Sequence, residues 1–133
     1  MRAIAQNPAA RPKSASALAL GIAEYLDAQR DAEARERRAN ESFVHARAAY
    51  DAFQADKSAL RLNAESTETL REEMKAEPSS EQRRRLWQAE ALLERCQVDH
   101  ERFFGRAVRS FEAVLLDDVD HRLARAGLTE LYW

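Results

Sequence analysis

The chain contains very little from which a β-sheet could be built. Val, Ile and Thr together number ten of the 133 residues, while Ala alone numbers 26. β-Branched side chains suit the pleated surface of a strand, whereas Ala is the strongest helix former. Gly and Pro, which supply tight turns, number only three each, too few for the many reversals of a β fold. The composition therefore predicts an all-α protein with few breaks. A chain of 133 residues is long enough for one small domain or an extended helical segment, but not for two cores.

Proline places the breaks. Pro8 and Pro12 bracket a turn, because proline fixes φ and disfavours helix at the residue before it. Ser14 can then accept an orphan backbone N–H and cap a helix. Leu18, Ile22, Tyr25 and Leu26 follow at helical spacing and form one apolar face. From Asp27 to Arg38 every large apolar side chain disappears, leaving Ala, Glu, Arg and Gln, so residues 27–38 read as a solvated helical linker.

Packing resumes at Ala39. Ala39, Phe43, Ala46, Tyr50, Phe53, Lys57, Leu60, Ala64 and Thr67 alternate spacings of four and three, a heptad-like seam interrupted by Lys57. Glu77-Pro78-Ser79-Ser80 is the next break, and Ser79 with Gln82 matches a capping box. A second helix then carries Leu86, Leu93, Cys96, Phe103, Ala107, Phe111 and Val114 on its inner side. So short a break makes the two helices antiparallel neighbours. A turn centred between Glu77 and Ser80 sets Ala46 opposite Phe111, Tyr50 opposite Ala107, Phe53 opposite Phe104, Ala64 opposite Leu93 and Lys57 opposite His100. Small against large is what interdigitating layers need. Asp117-Asp118-Val119-Asp120 ends this helix, and Asp120 can cap a third that carries Leu123, Leu128, Leu131 and Tyr132. The expected organisation is thus a first segment over 1–26, a helical linker over 27–38, an antiparallel α-hairpin over 39–116 and a short third helix over 117–133.

Charge and cysteine content narrow the setting. The 21 Lys and Arg against 23 Asp and Glu leave a net charge of −2, which argues against nucleic acid or an anionic membrane as the partner. No apolar run approaches the roughly 20 residues that span a bilayer. Residues 1–10 lack the apolar core of a signal peptide. The single Cys96 excludes an internal disulfide and fits a reducing compartment. These features point to the cytoplasm.

The opening residues, Ala3-Ile4-Ala5-Gln6-Asn7-Pro8-Ala9-Ala10-Arg11-Pro12-Lys13-Ser14-Ala15 with Leu18, Ile22 and Tyr25-Leu26, resemble the end of a bacterial (Hanks-type) serine/threonine protein kinase domain. There an alanine-rich helix end is followed by Asp-Pro, two variable residues, Arg, a turn, Ser-Ala and a last helix. Asn7 stands where Asp is commoner. The likeness covers roughly residues 1–30. It implies that Arg11 is a structural residue, pairing with a glutamate at the end of the activation segment, which would lie upstream. The chain contains no Gly-x-Gly, His-Arg-Asp or Asp-Phe-Gly, so the phosphate loop, catalytic Asp and metal-binding Asp of a kinase are missing. The resemblance implies a C-terminal remnant without kinase activity.

The other end, roughly residues 104–133, looks like part of a tetratricopeptide array. Ala107, Phe111 and Val114 have the spacing of that repeat's second helix, and Leu128 and Tyr132 fall where the next repeat's first helix carries Leu and Tyr. Val119 replaces the usual turn proline and Thr129 a small residue. The resemblance implies that Leu128, Leu131, Tyr132 and Trp133 are interaction residues, packing on a further helix. Large bacterial kinases commonly join a kinase domain to helical repeats through a helical linker, and the order here is similar.

No arrangement of side chains points to catalysis or to a cofactor. Cys96 and His100 at i, i+4 have metal-ligand spacing, but no second ligand pair accompanies them, and ordinary packing is the preferred reading. His45 and His121 lack a nucleophile or carboxylate pattern and read as surface residues. Asp117, Asp118 and Asp120 lack the Gly and terminal Glu of a calcium loop and read as a helix-end turn. Arg83-Arg84-Arg85 and Arg35-Glu36-Arg37-Arg38 are diluted by acids and read as solvated helix faces. The aromatic stripe Phe43, Tyr50, Phe53, Phe103, Phe104 and Phe111 reads as core. The expectation is a non-catalytic protein without metal, cofactor or small-molecule substrate, binding a protein partner or itself. It is read as a kinase's C-terminal fragment that links the kinase domain to a repeat-type interaction region. The competing reading is a free-standing helical adaptor that self-associates through the heptad-like seam.

Overall fold

The computed structural model describes residues 14–133, and they form three helices and no strand. Helix α1 runs over Ala15–Glu73 (59 residues), α2 over Ser80–Asp117 (38 residues) and α3 over Arg122–Tyr132 (11 residues). The all-α architecture expected from the composition, two long helices and a short third, is what the chain adopts. Arg11 and the turn at Pro8–Pro12 lie outside the described residues.

The helix boundaries follow from local chemistry. At the start of α1 the Ser14 hydroxyl accepts the N–H of Ala17 at 3.1 Å. No proline interrupts the following residues until Pro78, so α1 continues through both the apolar and the bare stretches. Around Ser79 the capping box forms in full: Ser79 Oγ accepts the Gln82 N–H at 3.2 Å, and Gln82 Oε1 accepts the Ser79 N–H at 2.8 Å. Two of the orphan donors of α2 are thereby satisfied. Helix α3 starts one residue later than Asp120 would set it. His121 is its N-cap, with Nδ1 accepting the Ala124 N–H at 3.2 Å. Asp120 does not cap because its carboxylate is turned to the Arg125 guanidinium, 3.3 Å away.

The described residues fall into two units divided between Arg37 and Arg38. In the first, every residue from Ser14 to Arg37 is exposed except the half-buried Ala34. Leu18, Ile22, Tyr25 and Leu26 are 55, 52, 63 and 45% exposed. Their apolar face exists, but its side chains remain in solvent.

The second unit holds the core. Ala39, Ala46, Ala49 and Phe53 of α1, Ala107, Val108, Phe111 and Val114 of α2, and Ala124 and Leu131 of α3 are its buried apolar residues. Phe111 is bracketed by Phe43 and Tyr50, each ring 6.3 Å away, one turn to either side of the fully buried Ala46. Phe53 meets Phe104 at 5.8 Å. Phe111 thus lies in the gap left by small Ala46, whereas Phe53 and Phe104 meet large against large. From residue 54 to the turn, α1 buries only one residue, Thr67, whose hydroxyl donates to the Asn63 carbonyl at 2.8 Å.

Helix α3 folds back onto the same core. Gly127 is buried beneath the Phe111 ring. Tyr132 packs edge-on against Phe104 at 5.6 Å, and His121 lies 4.9 Å from Phe43. Leu131 is 7% exposed, inside the chain's own core, and Leu128 is half-buried against that core. The expectation that Leu128 and Leu131 are interaction residues is corrected to that extent: both pack against the chain's own core.

Candidate functional site

Polar chemistry gathers where the seam of the hairpin leaves its aromatic layers. The His100 ring stacks on Phe53 at 4.9 Å and an interplanar angle of 25°. Its Nδ1 lies 2.7 Å from Oδ2 of Asp56, with both side chains mostly buried, at 25 and 16% exposure. A carboxylate can only accept, so the ring nitrogen donates. The sequence sets Lys57 opposite His100; the polar partner is the preceding residue, Asp56, while Lys57 remains exposed.

Two turns further on, Asn63 Nδ2 donates to Cys96 Sγ at 3.4 Å. The two polar layers couple Asp56 to His100 and Asn63 to Cys96, each across the helix pair. Cys96 and His100 thus find separate partners on α1. Among the described residues no group of three or more His, Cys, Asp or Glu side chains is placed to hold a metal ion.

Beside His100 an open groove of about 510 Å³ is lined by Lys57, Ser58, Leu60 and Arg61. A ring nitrogen oriented by a carboxylate is half of a nucleophile–base arrangement. The other half is not assembled around it. Ser58 Oγ donates to the Gln54 carbonyl at 3.2 Å, and the Cys96 sulfur is held by Asn63. The geometry is that of a structural polar layer in a helical seam.

The charged runs are engaged locally. Arg84 and Arg85 pair with Glu81 at 2.6 and 3.3 Å, and Arg83 donates to the Pro78 carbonyl at 3.2 Å. The acidic turn is likewise internally bonded. Asp117 pairs with Arg38 at 3.2 Å, Asp118 Oδ1 accepts the Asp120 N–H at 3.1 Å, and Asp120 meets Arg125. These contacts tie down a helix end.

Large apolar side chains are exposed in several places. Besides the face in the first unit, Leu116, Val119 and Leu123 are 87, 65 and 62% exposed around the α2–α3 turn. Tyr132 and Trp133 are exposed at the end of α3. Among the described residues no helix is long and apolar enough to cross a membrane.

Sequence reasoning missed three residues. Asp56 was indistinguishable from any solvated acid of α1. Gly127 reads as an ordinary small residue until the Phe111 ring is placed against it. Glu130 of α3 acts on the Tyr50 phenol of α1, which no spacing rule reaches. Burial first, and Glu130 second, push the Tyr50 phenol up from its ordinary value, with Gln54 and Arg47 pulling the other way. No family model matches the chain, and neither a curated protein nor a solved structure does.

Proposed function

We propose that this chain is the non-catalytic C-terminal part of a bacterial serine/threonine protein kinase, joining the kinase domain to a repeat-type protein-interaction region in the cytoplasm. The observation that carries the reading is the apolar face Leu18, Ile22, Tyr25 and Leu26. It lies on a well-formed helix, follows the kinase-like turn residues of 7–15 in sequence, and remains in solvent. A contiguous face of this kind is the mark of a surface built for another body. A kinase C-lobe preceding it would supply that body. The packing of α3 against Phe111 is compatible with a repeat-like second half, and Tyr132 and Trp133 stay available to a following helix.

The adaptor alternative needs the heptad-like seam to be free for a second chain. Phe53, Phe104 and Phe111 already pack against one another's helices within this chain, which favours the linker reading. The coding sequence upstream of Met1 tests it. An in-frame Asp-Phe-Gly and Ala-Pro-Glu would support the kinase reading, and a close upstream stop codon would overturn it in favour of the adaptor. The isolated chain should show no saturable heat when titrated with Mg-ATP, because no phosphate-cradling motif is encoded. A micromolar dissociation constant would contradict the non-catalytic assignment.

A further inference from the structure

We propose that His121 is a proton-sensitive latch whose cap helps hold α3 on the α1–α2 core, and that protonating its ring loosens α3. A backbone N–H can only donate, so the 3.2 Å bond from the Ala124 N–H requires an unprotonated Nδ1 on His121. Protonation turns both ring nitrogens into donors. It removes the cap and places a positive charge at the N-terminus of a helix, where the backbone dipoles oppose it.

The surroundings decide whether that charge could be compensated. The element before α3 contributes Asp117, Asp118 and Asp120. Asp117 is held by Arg38 of α1 at 3.2 Å, Asp118 Oδ1 by the Asp120 N–H at 3.1 Å, and Asp120 by Arg125 at 3.3 Å. Each carboxylate thus has one partner, and among the described residues none of the three is hydrogen-bonded to the His121 ring. Helix α3 itself contributes Arg122 and Arg125, both of which repel an imidazolium. From α1 the ring in contact is Phe43, 4.9 Å away and tilted by 34°; it can face a cation, but it offers no acceptor to replace the lost bond. The cap matters to the whole element because α3 is only 11 residues long, too short to persist without its packing and its ends.

The latch is a property of this chain and does not depend on the kinase reading. Hydrogen exchange on the full chain at pH 7.5 and pH 5.5 tests it, in a window where ordinary carboxylates stay ionised. Protection factors of the Arg125–Leu131 amides should fall by about fivefold in acid, the factor expected for losing one cap. Those of Ala46–Phe53 should not fall. In His121→Asn, which retains a capping acceptor that does not titrate, α3 protection should be unchanged between the two pH values. Equal wild-type protection of α3 at both pH values, or the same fall in His121→Asn, would overturn the proposal. Should His121→Asn fail to dock α3 at all, imidazole ¹⁵N shifts of the wild-type chain decide: an Nδ1-protonated tautomer at pH 7.5 would sink the latch, and an Nε2-protonated one would sustain it.

Discussion

A Cβ atom built on Gly127 would stand 2.6 Å from Cε1 of Phe111 and closer still to Cζ. No real side chain tolerates such an approach, and Phe111 is 1% exposed and bracketed by two other rings. The backbone of α3 therefore lies directly on the aromatic centre of the core, and only glycine lets it do so.

Two glycine substitutions should then act in opposite directions. Gly127→Ala gains about 1 kcal/mol of helix propensity but must displace the buried ring, an overpacking cost of about 1–3 kcal/mol, and should come out destabilising. Gly21→Ala meets nothing within 4 Å in an exposed helix interior. It should stabilise the local helix by about 0.5–1 kcal/mol. Circular-dichroism melts of both variants check the signs, and a gain in stability for Gly127→Ala would contradict the packing.

Loss of the aromatic layers should be severe. Phe111→Ala and Phe53→Ala, at 1 and 5% exposure, should each cost about 3–5 kcal/mol in urea unfolding through lost transfer energy and a residual cavity. That is much of the stability of a small domain. Arg35→Ala, on an exposed stretch of α1, should change stability by less than about 0.5 kcal/mol.

The Asp56–His100 layer should show coupling. Removing either partner leaves a partly buried polar group unmatched, at about 1–3 kcal/mol. A double-mutant cycle with Asp56→Ala and His100→Ala at neutral pH should return a coupling of about 1 kcal/mol. Additive losses would mean that the 2.7 Å contact contributes nothing to the hairpin.

Alkaline pH should weaken the fold through Tyr50. Its phenol is raised in the folded state, mainly by burial and then by Glu130, so the folded chain holds this proton more tightly than the unfolded one. The corresponding stability is complete below about pH 10 and declines as pH rises through the folded value. Spectrophotometric titration should find one late-ionising tyrosine that disappears in Tyr50→Phe. In Glu130→Gln it should ionise earlier than in the wild type but still late, since burial remains.

Much of the fold was legible because it is written in local chemistry. The scarcity of β-branched residues fixed the class, Pro78 and the Ser79–Gln82 pair located the turn, and counting from that turn set Phe53 against Phe104. Counting is good to about a residue, however, and one residue separates Lys57 from Asp56. Only burial shows which of the two turns inward. Asp120 is the better N-cap by type, but Arg125 competes for its carboxylate, and that competitor comes from the helix being capped. Leu128 and Leu131 illustrate a more general blindness. An apolar stripe declares that a helix packs, while the identity of the surface it packs on is settled only when the chain folds back. The kinase-like turn and Arg11 fall outside the described residues, so sequence alone carries them.

The uneven placement of the core has a consequence for the turn between α1 and α2. Every buried apolar residue of the second unit lies within residues 39–53 and 107–131, with Phe103 and Phe104 packed against them, whereas the turn is flanked by polar layers and half-buried side chains. Doubling the length of a flexible connection costs only about 0.6 kcal/mol in closure entropy. Residues inserted between Ala76 and Glu77 would leave the Ser79 capping box intact and touch none of the aromatic layers. That junction is therefore where this chain would accept a tag, a fluorophore or an entire guest domain with the least penalty to the rest of its structure.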